Sequence, residues 1–187
     1  MVQLVVQVGT WMVHAGGVPE LAVGDEWTTR VDFSTQEPLV PAAECAVLGL
    51  TPEVVSDQPT LFPGPWYSIV ARLRHRRIAD RDTVALEVPD LLLGYPSTNH
   101  PLPTAPLVAG RGTISVDPYE TTSTAFFDES LRTWLVEAIR LVTVPRPWSH
   151  PDWTRRREVP LQRTHSHQDD HGGGYVTYFI SLRLLTR

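Results

Sequence analysis

A dense group of metal-ligating side chains lies near the end of the chain. Three histidines and two aspartates fall within seven residues, and glycines follow them: His165, His167, Asp169, Asp170 and His171, then Gly172, Gly173 and Gly174. Imidazole nitrogens and carboxylate oxygens bind divalent cations in tetrahedral or octahedral sites. These five side chains are therefore candidate ligands for zinc or manganese, and a metal held there would activate water for hydrolysis.

The same histidine-rich segment also fits a solvated loop that binds no specific ion. Glycines allow many backbone conformations, so neighbouring ligands would lose considerable entropy in converging on one cation. We expect the loop interpretation, with no cofactor, and keep a zinc or manganese site as the alternative.

The spacing of this segment resembles the zinc motif of the metallo-β-lactamase-fold hydrolases, His-x-His-x-Asp-His followed by glycines. The resemblance implies His165 and His167 as ligands, with Asp170 and His171 as the acidic-histidine pair. Asp169 is one residue too many for that motif, and only sixteen residues follow His171. Because that fold places further strands, helices and ligands after the motif, we do not expect it here, and only a local metal site remains.

Arginines form two other groups that suit binding. They are Arg72, Arg74 and Arg76, on one face of a predicted strand, and Arg155, Arg156 and Arg157, in an irregular segment. The planar guanidinium suits carboxylates and phosphates. Such a face protects a sheet edge from unwanted pairing, binds an acidic protein partner, or contacts nucleic acid. The sequence leaves these three interpretations open, and we favour edge protection.

The tryptophans divide into two sets. Trp11, Trp27 and Trp66 lie at strand positions and are expected in the core. Trp148 and Trp153 lie in the irregular segment, where aromatic side chains are typical of interfaces. Together with the arginines, they are the candidate partner-contact residues.

The basic residues exclude several enzyme classes. All sixteen are arginine, so the chain has no lysine for a Schiff base, a pyridoxal-phosphate linkage, a phosphate-binding loop or a kinase-like site. Cys45 is the one cysteine, which excludes an intrachain disulfide and a thiolate metal cluster, and its apolar surroundings predict that it is buried. A net charge of −5 argues against general nucleic-acid binding.

Alternating apolar residues predict strands, which seventeen prolines separate. Val2, Leu4, Val6 and Val8 would share one face of the first strand. Further predicted strands are a hairpin from Tyr67 to Arg77 and Thr83 to Leu93, a run from Leu107 to Val116, and a last strand from Tyr175 to Leu185. Gly110 and Gly112 predict a bulge or sharp bend in the run that contains them.

The stretch from Asp128 to Val144 is ambiguous. Its apolar spacing fits a helix with Asp128 as N-cap, but its end is β-branched. We predict a short helix over Asp128–Glu137 and a strand over Ala138–Val144. The segment from Pro145 to Gly174 has no periodicity and is predicted to be one long irregular loop.

These elements predict a mainly β protein, a small antiparallel barrel or sandwich of about eight strands with one short helix. Residues 1–187 would form a single domain, with 1–94 and 95–187 as two similar halves. The pattern of Trp11, Gly17, Pro19, Val23-Gly24-Asp25 and Trp27 resembles an uncharacterised family of small bacterial β-rich proteins, a resemblance that covers less than a fifth of the chain and implies no activity.

The N-terminus lacks the basic residues of a signal peptide, and no apolar run approaches the ~20 residues that cross a bilayer. We therefore expect a cytoplasmic protein without membrane contact. The function expected is non-catalytic: a binding or adaptor protein that acts through a protein partner or as a homo-oligomer. The alternatives are a metal-dependent hydrolase using the loop His165–His171, and a β-barrel that binds a small molecule or nucleic acid.

Overall fold

Alternating apolar residues form strands along most of the chain. The structure, a computed structural model, describes residues 2–35, 37–53, 64–78, 81–96, 104–116, 127–145, 155–165 and 175–185. Within these ranges the elements are β1 (Gln3–Gly9), α1 (Thr10–His14), β2 (Glu26–Thr29), β3 (Asp32–Ser34), β4 (Val40–Pro41), β5 (Gly49–Glu53), β6 (Trp66–Ile78), β7 (Arg81–Val88), β8 (Leu91–Tyr95), β9 (Leu107–Ser115), α2 (Phe127–Ser130), β10 (Arg132–Val144), β11 (Arg157–Leu161) and β12 (Tyr175–Leu184).

The predicted fold class is confirmed: the protein is mainly β, with a closed five-stranded barrel and further strands. Twelve strands and two short helices lie in the described ranges, more than the eight strands and one helix expected. The additional strands include short ones, such as β3 and β4, and the predicted run Thr83–Leu93 is divided by a turn into β7 and β8.

The elements group into two compact units. Unit 1 contains β1, α1, β2, β10, β11 and β12, and unit 2 contains β3 to β9 and α2. Each unit combines separate parts of the chain, so the units do not coincide with 1–94 and 95–187. The similarity of those halves stays a prediction.

Unit 1 is built on an antiparallel sheet in the order β11, β10, β12, β1, with β2 paired to β10. Leu4, Val6 and Val8 are buried, as their alternation predicts. Residues opposite one another across antiparallel strands share a face. Val6 is opposite Ile180, which is opposite Ile139, and this row is at most 1% exposed. The row shows that one face of this sheet is the core of unit 1.

Unit 2 contains the barrel. Its strands close in the order β9, β3, β8, β7, β6 and back to β9, with β5 added to β6 and β4 to β9. β3 and β8 are parallel, whereas the other barrel pairs are antiparallel. Among the largest fully buried side chains of this unit are Phe33, Ile69, Leu86, Leu93 and Ile114.

The predicted hairpin is present, but its second arm is shorter than expected. β6 pairs with β7 from Arg72–Glu87 to Ile78–Arg81. The chain then turns at Asp90, which has a φ of 67°, and returns as β8. Pro89-Asp90 was the sequence signal for this turn, since proline interrupts a ladder and aspartate tolerates positive φ.

The predicted helix over Asp128–Glu137 is wrong. α2 ends at Ser130, and β10 runs from Arg132 to Val144. Pairing with β12 along nearly its whole length overrides the helical spacing, with a register shift between Val136 and Ala138 that leaves a bulge at Glu137. The bulge expected at Gly110–Gly112 does not form, because β9 pairs with β6 in continuous register there.

Gly112 serves close packing instead. A Cβ atom at this position would overlap the carbonyl oxygen of Ser34 and lie 2.8 Å from Phe33 Cζ. Only glycine lets β9 approach β3 this closely.

Two expected core residues are exposed. Cys45 lies on the surface, in the connection between β4 and β5 where Val47 is 86% exposed. Trp11, in α1, is 53% exposed, whereas Trp27 and Trp66 are buried as predicted. The apolar run around Cys45 is therefore not a core segment.

The segment from Pro145 to Gly174 is not entirely irregular, since it contains β11. No helix within the described ranges is both long and apolar enough to span a bilayer.

Candidate functional site

The histidine-rich segment is described only at its first member. His167, Asp169, Asp170 and His171 lie outside the described residues, as do Trp148 and Trp153. Within the described ranges no group of three metal-ligating side chains is found. The metal site therefore stays a prediction.

The backbone that leads into this segment is firmly held. Thr164 is fully buried, its amide donates to the Leu21 carbonyl at 2.8 Å, and its hydroxyl accepts from the Leu21 amide at 2.8 Å. The His165 amide donates to the Tyr178 hydroxyl at 3.2 Å, and that hydroxyl donates to the His165 carbonyl at 3.1 Å. Tyr178 is itself buried, so His165 has a fixed backbone position on unit 1.

The arginines of β6 are paired with carboxylates. Arg74 Nη1 lies 3.2 Å from Glu87 Oε2, and Arg72 Nε lies 3.9 Å from the same oxygen. Arg76 Nη2 lies 2.7 Å from Oε1 of Glu129 in α2. The three cations, predicted to share an open face, are thus largely matched by acids of their own unit.

The strand beside these arginines is buried on both faces. From Thr83 to Leu86 the residues of β7 are all buried. Ala85 and Leu92 form a small apolar cluster of their own, on the face that Arg74 shares through its pairing with Ala85. Arg132 donates to the carbonyls of Asp90 and Glu129, which fastens α2 beside β8. The arginine face of β6 is therefore ion-paired within unit 2, although its side chains stay 42–59% exposed.

The second arginine group has a different setting. Residues Arg155 to Arg163, named here the edge segment, comprise β11 and its flanks, and β11 is the end strand of the sheet among the described strands. Eight of its nine residues are exposed, and Leu161 is half-buried. Four arginines against one glutamate make this segment locally cationic, although the whole chain carries −5.

On one face of the edge segment, the glutamate is already paired with arginines. Glu158 accepts from Arg156 Nε at 2.9 Å and from Arg140 Nη1, in β10, at 3.0 Å. The ion pairs found within the described ranges do not include Arg155, Arg157 or Arg163. Among the described residues of unit 1, these three exposed guanidinium groups are the ones that no described ion pair engages.

A polar cluster that the sequence did not reveal joins three strands of unit 2. Glu53 in β5 accepts from Ser68 in β6 and from Arg111 in β9, whose Nε lies 3.0 and 2.8 Å from its two oxygens. The Arg111 guanidinium also lies 5.8 Å from the ring centroid of Trp66. Hydrogen bonds from Arg111 and then Ser68 hold the pKa of Glu53 below its usual value.

The Glu53 cluster was not predictable because its members are far apart in sequence, and no local spacing signals it. The strand register supplies the link: Glu53 is opposite Trp66, and Ser68 is opposite Arg111. Since the Glu53 carboxylate is satisfied by these neighbours, the cluster ties an outer strand to the barrel and is not a binding site.

Comparison with family models, with curated proteins and with solved structures finds no match to this chain. The resemblance of the N-terminal pattern to a bacterial β-rich family is thus not tested. The candidate site rests on the side chains themselves.

Proposed function

We propose that this chain is a non-catalytic binding protein that acts through a protein partner, with the edge segment as its contact surface. One observation carries the proposal: eight of the nine residues of this segment are exposed, and three of its four arginines have no carboxylate partner among the described ion pairs. Arginine is enriched at protein interfaces, where its planar fork pairs with carboxylates.

The contrast with β6 supports the choice of surface. There the arginines are engaged by Glu87 and Glu129, so they have less charge to offer a partner. Edge protection remains a second role for the charges of β11, and the two roles are compatible because a charged edge rejects strands while attracting acids.

The chemistry of the chain suggests how to find the partner. It has no lysine and a single exposed cysteine, Cys45, so maleimide–biotin attaches at one position outside the edge segment. Proteins captured by the biotinylated chain from its own cells would be identified, purified and titrated against the chain by calorimetry.

One triple variant and one double variant make the test specific. We expect Arg155→Glu/Arg157→Glu/Arg163→Glu to weaken binding of the purified partner by at least about tenfold, since like charges then face its acids. Arg72→Glu/Arg74→Glu is the matched control and should bind like the wild type. If no captured protein binds in purified form, or if both variants bind equally, the proposal is wrong.

The metal-dependent hydrolase is a distinct outcome of the same preparation. About one zinc or manganese per chain after chelator-free purification, lost in His165→Ala/His167→Ala, would replace the binding function with a metal site.

A further inference from the structure

We propose that the partner presents an extended segment with a carboxylate and apolar side chains spaced two residues apart, so that they share one side, and that this side lies along the core-side face of β11. The inference rests on the proposed function and names the chemistry of the partner. It is carried by the register of unit 1 and by the exposure of its outermost row.

The core face of unit 1 continues onto its exposed edge. Val159 in β11 is opposite Leu141, Leu141 is opposite Tyr178, and Tyr178 is opposite Val8. Residues paired in this way share one face of a sheet. Val8 and Tyr178 are at most 2% exposed, whereas Val159 is 49% exposed. An apolar row therefore runs from the core to a half-open end at β11.

The neighbours of Val159 give this open end its polarity. Side chains alternate along a strand, so Arg157 and Leu161 share its face, while Glu158 and Pro160 take the other. Arg157 is exposed and Leu161 is half-buried. Arg157 thus lies beside two partly exposed apolar side chains, and all three are spaced two residues apart. A partner segment with a carboxylate followed by apolar residues at the same two-residue spacing would match them.

The other face of β11 is less suited to a partner. On that face the Glu158 carboxylate is already paired with Arg156 and Arg140. Pro160 has no amide hydrogen and weakens the strand as a template for adding another. Recognition therefore depends on side chains of the core-side face, and a backbone ladder contributes little.

The flanking charges favour an acidic partner over a neutral one. Arg155 precedes the strand and Arg163 follows it, both exposed. Because the exposed apolar area around Val159 is small, apolar contact alone would give weak binding, and the three cations supply the complementarity.

The test uses a fluorescent octapeptide in which serine alternates with two glutamates and then two valines, so that the glutamates and valines lie on the same side of the extended chain. It is titrated with the full chain and followed by anisotropy. We expect saturable binding that weakens about tenfold in Arg157→Glu and about threefold in Val159→Ser, because each removes one of the two contacts. Arg72→Glu and Val47→Ser are the matched controls, and both should bind like the wild type.

Three other probes define what would overturn the proposal. Octaglutamate binding as tightly as the alternating peptide would show that charge alone acts, and alternating serine–valine binding as tightly would show that apolar contact alone acts. A twelve-residue thymidine oligonucleotide binding more tightly would point to nucleic acid. Failure of the alternating peptide while a purified partner still binds through the edge segment would overturn the partner chemistry and leave the proposed function standing. Absence of any partner binding would remove both.

Discussion

Two arginine-rich regions of this chain look alike in sequence and differ in structure. On β6 the guanidinium groups meet Glu87 and Glu129, beside a strand buried on both faces. In the edge segment, Arg157 has no such carboxylate among the described ion pairs, and the strand is exposed on both faces. Both regions use arginine, but the surrounding residues decide whether the guanidinium group is paired within its own unit or available for a contact.

The largest expected effect is a difference in unfolding free energy between a variant in β7, beside the first arginine group, and a variant in β11, which carries the second. Leu86, in β7 beside β6, is fully buried opposite Leu73, on the face of the sheet away from the arginines. Leu86→Ala should lower the free energy of unfolding by about 2–5 kcal/mol, through lost transfer energy and the cavity left behind. Val159→Ala on β11 should lower it by under ~1 kcal/mol, since half of that side chain is already in water. Urea denaturation of both variants measures the difference, and equal losses would contradict the comparison.

Much of the fold was predictable from local pattern, and the role of the arginines was not. Leu4, Val6 and Val8 recur at every second residue, with glutamines at positions 3 and 7, and that period fixes which face is buried whatever strand lies alongside. Glu129 lies more than fifty residues after Arg76 in sequence. No spacing within β6 reveals that a distant helix will neutralise it.

The errors at β10 and β11 have separate physical causes. Trp134, Leu135 and Ala138 fit a helical stripe by spacing, but the ladder with β12 determines the conformation. β11 escaped prediction because only Val159 and Leu161 alternate in its five residues, with Pro160 between them, and so short a pattern does not indicate a strand. The residue pattern that hides the strand is the same pattern that makes it a candidate contact surface.

A second prediction tests how closely the strands beside β6 fit. Gly112→Ala would place a methyl group against the Ser34 carbonyl and the Phe33 ring, so β9 and β3 must separate. We expect a loss of about 1–3 kcal/mol in unfolding free energy. Gly49→Ala in β5 is the matched control, because no atom lies within 4 Å of its added Cβ. A Gly112→Ala variant as stable as Gly49→Ala would mean that this part of the barrel yields easily.

A third prediction concerns Glu53, the carboxylate of unit 2 that is paired with Arg111. Arg111 and Ser68 lower the pKa of Glu53 in the folded state, so the folded protein binds this proton less readily than the unfolded chain. The stability this gives is present above the usual carboxyl pKa and is lost as pH falls through the lowered one. Unfolding free energy measured from pH 7 to pH 3 should therefore fall less steeply in Glu53→Gln than in the wild type. The exposed Glu44→Gln variant should follow the wild-type curve, and identical curves for all three proteins would show that the pairing gives no stability.

The smallest expected effect on stability belongs to the edge segment. Arg157→Ala combined with Val159→Ser should change the free energy of unfolding by no more than about 0.5 kcal/mol beyond the loss from Val159 itself, because exposed cations contribute little to folding.

Arg76→Ala, which removes the ion pair to Glu129, should expose α2 and speed amide exchange there, whereas the edge variant should leave exchange of buried β10 and β12 unchanged. Hydrogen exchange with mass spectrometry distinguishes the two. Rapid amide exchange throughout unit 1 in the edge variant, or slower folding, would mean that these side chains hold the sheet together. A surface needed for folding is a poor candidate for a contact that stays free for a partner.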